Sequence, residues 1–197
     1  MKTANEDGAR MTQPKIIVLE GPSGVGKDTV AAELIKRYPD LYVKMPSTTT
    51  RAMRPHESQG NPYFFVTKAE FEEKIKSGDV FEHTISARDG DYRGMSRHII
   101  DGILETGKIQ IKDADEVGLR ALKKEYGNLV LGIFMVTSKD EIERRLRARG
   151  ESGESLERRL NDFDEYIKYQ KHFDHVIDND CLTSCVDKVH NTIWKKS

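Results

Sequence analysis

A glycine-rich segment near the start of the chain carries residue types that bind phosphate. It fits the spacing G-x-x-x-x-G-K and consists of Gly21, Pro22, Ser23, Gly24, Val25, Gly26 and Lys27. Glycines at these positions let backbone N–H groups point at phosphate oxygens, and the lysine reaches the terminal phosphates. A tight glycine turn alone would leave the lysine unexplained. We therefore predict that the segment binds ATP as phosphoryl donor and that Lys27 is catalytic.

The residue after the lysine departs from the usual pattern. Asp28 stands where a serine or threonine normally offers a hydroxyl to Mg²⁺, and Thr29 follows it. An aspartate could hold the ion directly or through water, although its charge beside the triphosphate could weaken ATP binding. The alternative is a carboxylate that only stabilises the helix N-terminus. We expect Mg²⁺ as cofactor, Asp28 as a candidate ligand, and both residues in the ATP site.

The flanking elements are those that a phosphate loop requires. Residues 15–20 form a short β-branched run that ends at glycine, which is typical of a buried parallel strand. Residues 29–38 have helical apolar spacing, and Pro39 ends the helix. The order strand, glycine loop, helix supports the phosphate-binding interpretation.

Strands and helices alternate through the rest of the chain. Residues 129–136 predict an interior strand, residues 117–126 the helix before it, residues 154–171 one long helix, and residues 175–177 a last strand. This alternation predicts a parallel sheet with helices on both faces. The predicted fold class is an α/β P-loop kinase with a three-layer α/β/α core, an inserted mixed α+β lobe and a short helical lid.

A change in composition divides the chain. Between residues 47 and 96, threonine, arginine, proline, glycine and aromatic residues surround short strand-like pieces, which predicts a small inserted lobe. The predicted organisation is a disordered extension over 1–14, a core over 15–46 and 97–197 with a lid at about 145–160, and a single domain over 15–195.

The overall charge and hydrophobicity limit the partners. The 197 residues include 32 basic and 33 acidic side chains, so the net charge of −1 argues against a general nucleic-acid binder. No apolar run approaches a membrane span, and the first residues lack the apolar region of a secretory signal. We expect a cytosolic monomer or homodimer whose partners are small nucleotides, without nucleic acid or membrane.

The segment that opens the lobe resembles a known family. Ser47-Thr48-Thr49-Thr50-Arg51, then Arg54-Pro55, Glu57, Gly60 and Tyr63 resemble the S-x-T-T-R-x-x-R-P-G-E-x-x-G-x-D-Y segment of the guanylate kinases. His56 and Pro62 replace its glycine and aspartate. The resemblance extends over residues 15–180 and implies ATP-dependent phosphorylation of GMP, and of dGMP, to the diphosphates.

The resemblance also implies roles for single residues in the lobe. Ser47, Arg51, Arg54 and Tyr63 would hold the GMP phosphate, with Glu57 in the same site. Two arginines and two hydroxyls suit a dianionic phosphate, although arginine pairs on loops are often only solvated.

Two acidic residues are expected to select the base. Glu82 is similar to the family glutamate that reads the guanine edge, Asp113 matches its second acidic reader in L-[DE]-I-D-x-Q-G, and Asp115 matches the aspartate near phosphates and metal. Carboxylates accept hydrogen bonds from the adjacent N1–H and N2–H donors of guanine and repel adenine. Lys112 and Val117 replace the leucine and glutamine of this motif.

The segment 90–96 departs further from the family. Arg93 stands at the place of a phosphate-binding tyrosine, and Met95 at that of a hydroxyl residue that contacts the base. Arg93 could strengthen phosphate binding, whereas Met95 cannot supply the hydrogen bond. Either base selectivity is relaxed or a neighbour such as Ser96 replaces the missing contact.

Three arginines resemble the lid that closes over ATP. Arg145, Arg149 and Arg159 would stabilise the charge of the transferred phosphoryl group, and nearby glycines could act as hinges, although a solvated charged helix is the alternative. Asn179 resembles a family residue that contacts adenine.

Two other functions stay open at this stage. Kinases of ribose 1,5-bisphosphate share the fold and a G-K-D loop, which Asp28, Arg93 and Met95 favour, whereas Glu82 favours GMP. A binding module without catalysis is less compatible with the sequence, because such modules lose the loop lysine and lid arginines that are present here.

Overall fold

The computed structural model describes residues 13–195, which form two sheets and eight α-helices. The strands are β1 (Ile16–Glu20), β2 (Tyr42–Lys44), β3 (Ser47–Thr49), β4 (Ser58–Gln59), β5 (Pro62–Phe65), β6 (Val80–Ile85), β7 (Tyr92–Ser96), β8 (Ile109–Asp113), β9 (Val130–Val136) and β10 (His175–Asp178). The helices are α1 (Lys27–Arg37), α2 (Lys68–Lys76), α3 (Arg97–Glu105), α4 (Glu116–Tyr126), α5 (Lys139–Ala148), α6 (Gly153–Asn161), α7 (Phe163–Ile167) and α8 (Leu182–Trp194).

The core sheet is parallel throughout, with strand order β10-β9-β1-β8-β2. Every residue of β1 is buried, which follows from its central position and from helices covering both faces of the sheet. Strand β9 lies beside it, between β1 and β10, so the predicted interior strand is confirmed.

Alternate residues of β1 pack into two apolar layers. Ile17 and Leu19 face a cluster that includes Leu34 of α1 and Val189 of α8. Ile16 and Val18 face a second cluster on the other side of the sheet, which is built from the following residues: Met45, Met95, Ile100, Leu119, Leu122, Val130, Phe134 and Phe173. The predicted three-layer α/β/α arrangement is therefore confirmed.

The second sheet lies in the segment 47–96 and has the order β4-β5-β3-β7-β6. It is mixed, because β3 pairs parallel with β5 and antiparallel with β7. Helix α2 covers it with the fully buried Phe71, and a capping box between Thr67 and Glu70 starts that helix. Residues 47–96 thus form a mixed α+β lobe.

Some local expectations differ from the structure. The long helix predicted over 154–171 is broken into α6, α7 and a 3₁₀ turn over Lys168–His172. The break turns Tyr166 toward β1, where its hydroxyl donates to the Glu20 carboxylate at 2.5 Å. The hydrogen bond of Tyr166 and its packing against the sheet therefore favour the break, although the helical pattern of the sequence continues through it.

Three strands were not predicted from the sequence, namely β2, β3 and β7, which are three to five residues long. Such short strands depend on their neighbours rather than on their own pattern. Of the predicted disordered extension 1–14, residues 1–12 lie outside the described part of the chain. Within residues 13–195, no helix is both long and apolar enough to cross a membrane.

One carboxylate ties the lobe to the core. Asp79 precedes β6 and accepts hydrogen bonds from Ser96 Oγ at 2.8 Å, from His98 N at 2.9 Å and from Lys74 Nζ at 2.9 Å. Burial opposes the charged form, but these hydrogen bonds outweigh it and lower the Asp79 pKa. The side chain therefore holds the N-terminus of α3 against the end of α2 and the beginning of β6 in the lobe.

We expect Asp79→Ala to lower the free energy of unfolding by about 2–3 kcal/mol, because several hydrogen bonds to a charged, partly buried group are lost. Urea unfolding followed by circular dichroism measures the change. Asp40→Ala, at an exposed turn position, is the matched control and should stay within about 0.5 kcal/mol of the parent. Equal stability of the two variants would contradict the role of Asp79.

Candidate active site

The glycine-rich loop connects the end of β1 to α1, and its conformation excludes a side chain at three positions. Gly21, Gly24 and Gly26 have φ angles of +148°, +91° and +101°, a region that favours glycine. A Cβ atom on Gly26 would also lie 2.7 Å from the Asn179 Nδ2 atom, and one on Gly21 would overlap the Met135 carbonyl. The loop backbone is thus packed closely against the ends of β9 and β10.

Lys27 begins α1, and its amine lies over the loop. Nζ donates to the Gly21 carbonyl at 2.5 Å and lies 3.7 Å from Glu20 Oε1. Burial raises the Glu20 pKa, while the Lys27 charge and the Gly21 N–H oppose that change. The amine is therefore positioned at the loop by a backbone carbonyl and a buried carboxylate.

Arg145 and Asn179 support the loop from the α5 side. The Arg145 guanidinium donates to the Val25 carbonyl at 2.8 Å, to the Asn179 carbonyl at 2.7 Å and to Glu141 at 2.7 Å. Asn179 Nδ2 donates to the same Val25 carbonyl at 2.7 Å. Its buried Oδ1 has no partner within residues 13–195, so this oxygen is left as an acceptor at the loop.

The other two predicted lid arginines differ from Arg145 in their surroundings. Arg159 of α6 contacts the Ser23 hydroxyl of the loop and pairs with Glu151 at 2.8 Å. Arg149 is exposed and follows the last turn of α5. The structure therefore brings two of the three arginines to the loop.

A cleft of about 480 Å³ lies between the core and the lobe. The predicted site residues that line it are Asp28, Ser47, Tyr63, Glu82, Arg93, Asp113 and Asp115. A neighbouring cleft of about 550 Å³ is lined by Arg51, Arg54 and Glu57, and Tyr63 and Arg93 belong to both. The predicted acceptor residues are thus divided between two adjoining clefts that share one wall.

Charge interactions differ among the acidic residues that line the cleft between the core and the lobe. Burial raises the Glu82 pKa, and the nearby Asp115 carboxylate raises it further. Burial raises the Asp113 pKa. The positive charge of Lys27 opposes this change, and the negative charge of Asp28 adds to it. The charge of Asp115 thus acts on Glu82, whereas the charges of Lys27 and Asp28 act on Asp113. Asp113 and Glu82 both line this cleft, and the role of Asp113 in reading the base beside Glu82 stays a prediction.

Asp115 has a local role as well. Its side chain accepts a hydrogen bond from Gly118 N at 2.9 Å and caps the N-terminus of α4. A carboxylate with two oxygens can keep this cap and still present an acceptor to the cleft.

Arg51 and Glu57 form a pre-arranged pair on the lobe. One Arg51 nitrogen donates to both Glu57 oxygens, at 2.8 and 3.0 Å, and Arg54 N donates to Glu57 at 2.9 Å. The hydrogen bond from Arg51 is the main reason that the Glu57 pKa is lowered. Arg51 and Arg93 both lie over the Tyr63 ring, at 5.4 and 4.9 Å from its centroid. Glu57 thus lines the neighbouring cleft as the partner of Arg51, which it positions, rather than as a free anion.

Asp28 is exposed at the first turn of α1. Its carboxylate pairs with Lys44 at 3.2 Å, and 78% of its side chain is accessible. In the described range 13–195, no cluster of three or more His, Cys, Asp or Glu side chains could hold a metal ion. Mg²⁺ in kinase sites usually takes one or two carboxylates together with substrate phosphates, so the oxygen donors present fit such an ion.

One charged residue of the cleft was not assigned from the sequence. Lys112 of β8 is only 7% exposed and donates a hydrogen bond to the Ser47 hydroxyl. Burial lowers the pKa of its amine to about 8, an effect that Glu82 partly opposes. Its replacement of a motif leucine was visible in the sequence, but the direction of the side chain required the structure.

Comparison with known proteins agrees with this architecture. The sequence model of the guanylate kinase family matches residues 13–196. The chain is 36% identical over 181 residues to the guanylate kinase of Trichormus variabilis, which covers 91% of this chain and 89% of the relative. It is 35% identical over 182 residues to the guanylate kinase of Porphyromonas gingivalis, which covers 91% and 96%.

A solved structure is also similar. The crystal structure of guanylate kinase from Anaplasma phagocytophilum aligns with a TM-score of 0.64 and 27% identity, over 91% of this chain and 84% of that one. Sequence and structure are therefore similar to the same group of proteins over nearly the full length. The chain belongs to the guanylate kinase family.

Proposed function

We propose that this protein transfers the γ-phosphoryl group of ATP to GMP, with dGMP as a second acceptor. As a member of the guanylate kinase family, it is a phosphotransferase. The observation that carries the proposed acceptor is Glu82, a carboxylate that faces the same cleft as Asp113 and Asp28 at the phosphate loop. A base bound at Glu82 would direct its phosphate toward that loop.

The base end of the cleft is acidic. Glu82 makes no side-chain hydrogen bond in the described part of the chain, and Asp115 lies beside it. Guanine has adjacent N1–H and N2–H donors, which would fill this acceptor position. We therefore assign Glu82 and Asp115 to the base, and Asp113 to the side of the cleft nearer the loop.

The acceptor phosphate would lie between the two clefts. Tyr63 and Arg93 form their shared wall, and Arg51 and Arg54 lie just beyond it. Guanidinium groups bind phosphate through parallel hydrogen bonds, and Ser47 adds a hydroxyl in the cleft between core and lobe. In this arrangement Arg93 takes the place of a neutral family tyrosine and adds a positive charge.

The donor would bind along the loop. Backbone N–H groups and Lys27 would hold its phosphates, Arg159 would add charge from α6, and exposed Arg149 would have to move inward with the lid. The free Asn179 Oδ1 is suited to accept from the amino group of adenine. Arg145 acts mainly through the loop, since its donors are used by backbone carbonyls and Glu141.

The reaction needs charge stabilisation rather than a general base. The acceptor oxygen is already anionic, and the moving phosphoryl group spreads negative charge over its oxygens. Bound Mg²⁺ would neutralise part of that charge. Asp28 and Asp113, with Asp115 farther along the cleft, are the carboxylates that would orient the ion or its waters. A cytosolic location and a monomeric or dimeric state stay predictions of the sequence.

An acceptor panel tests the proposal directly. We expect kcat/KM for GMP to exceed that for AMP, CMP and UMP by at least about 100-fold, because buried polar groups reject a base that leaves them unpaired. An assay of ADP release measures all four acceptors. Ribose 1,5-bisphosphate is included as the alternative acceptor. Turnover of GMP no faster than AMP, or faster turnover of ribose 1,5-bisphosphate, would overturn the proposal.

Lys27→Met tests the donor site. We expect kcat to fall by about 10²–10³, because a positioned cation at the transferred phosphoryl group is lost. Steady-state kinetics with ATP and GMP measures the loss, and thermal unfolding verifies the fold. Lys36→Met, on the same helix with a side chain 80% exposed, is the control and should keep full activity. Comparable activity of both variants would exclude Lys27 from catalysis.

A further inference from the structure

Lys112 carries hydrogen-bond donors that the protein does not use. An ammonium group has three N–H donors, and one of them goes to the Ser47 hydroxyl. Among residues 13–195 the amine forms no hydrogen bond or ion pair with a carboxylate, although it lines the cleft. A buried cation is costly unless its donors find acceptors, so the remaining donors require water or a bound molecule.

The neighbours that could replace the missing base contact do not do so. Met95 is buried and opposes Glu82 in the pairing of β6 with β7, where its thioether offers no donor. The Ser96 hydroxyl donates to Asp79 at 2.8 Å and accepts from Ile99 N as the cap of α3. The Ser96 hydroxyl is therefore already engaged at the lobe junction, which disfavours the alternative in which Ser96 replaces the missing base contact.

Lys112 of the core strand β8 and Glu82 of the lobe strand β6 present a donor and an acceptor to the same cleft. Both side chains line this cleft without forming an ion pair within residues 13–195, and each shifts the pKa of the other. Guanine has the complementary order, because its O6 is an acceptor and its N1–H and N2–H are donors. Adenine reverses it, with an amino donor at position 6 and an acceptor at N1.

Building on the proposed function, we propose that Lys112 is a specificity-determining residue that donates a hydrogen bond to the 6-keto oxygen of the acceptor base. Glu82 accepts from N1–H and N2–H beside it. The lysine supplies the contact that Met95 cannot make, and its positive charge also repels the amino group of adenine. Selectivity for a 6-oxopurine is thus retained with different residues.

The simpler alternative is that Lys112 only links β8 to Ser47 of β3. A structural link would affect all acceptors equally, whereas a contact to O6 affects only acceptors that present this oxygen. The two explanations therefore differ in whether the effect of substituting Lys112 depends on the acceptor.

The experiment compares GMP with 6-thio-GMP, in which sulfur, a weak acceptor, replaces O6 while N1–H and N2–H remain. With the full chain, Lys112→Met should lower kcat/KM for GMP by about 10- to 100-fold, as expected for a lost hydrogen bond from a charged donor. For 6-thio-GMP the loss should be about 3-fold or less. Coupled ADP-release kinetics measures both acceptors.

Two control variants help to separate a contact to O6 from a general effect on the protein. Glu82→Gln should lower turnover of both acceptors by a similar factor, because the Glu82 carboxylate would accept from N1–H and N2–H, which both acceptors carry. Lys124→Met, at an exposed position of α4, should change neither. Thermal unfolding verifies each fold, and Lys112→Leu, the residue of the family motif, replaces the Met variant if that variant does not fold.

Equal losses on the two acceptors, or no loss on GMP, would overturn the role of Lys112 while leaving GMP phosphorylation intact. Equal kcat/KM of the parent protein for GMP and 6-thio-GMP would also overturn it, whichever variants fold. If the parent protein turns over GMP no faster than AMP, the proposed function fails and this inference fails with it.

Discussion

The active cleft depends on the parallel pairing of β1 with β8. Leu19 lies opposite Asp113 in this pairing, so the two strands end side by side at the same edge of the sheet. The phosphate loop leaves β1 at that edge, and the acidic residues that follow β8 begin there. The proposed donor and acceptor sites thereby adjoin at one edge without a long connection, as is usual for ligands of open α/β sheets.

The loop itself is held rather than free. Its glycines exclude side chains on the face toward β9 and β10, and Arg145 and Asn179 both hydrogen bond to the Val25 carbonyl. A rigid loop with inward N–H groups loses little order when it binds phosphate. Arg145 therefore supports the loop, while stabilisation of the transferred charge is the role proposed for Arg159 and Arg149.

The acceptor cleft combines groups of opposite charge at short range. Lys112, Arg93 and Lys44 surround Glu82, Asp113 and Asp115, and several of these groups perturb the pKa of a neighbour. Such an arrangement recognises a ligand that itself carries both donors and acceptors, because each unpaired buried group penalises a wrong partner. A purely basic cleft would bind any phosphate and select no base.

Much of this protein was readable from its sequence because the responsible signals are local. Loop glycines followed by lysine, the apolar period of α1 and the buried run of β9 specify a phosphate loop in a parallel α/β core, and the S-x-T-T-R segment specifies the family. The break between α6 and α7 was not readable, because a distant contact from Tyr166 to Glu20 decides it. The directions of Lys112, Ser96, Asp113 and Asp115 also required tertiary structure, since strand pairing and helix caps, rather than spacing, determine which side chains reach the cleft.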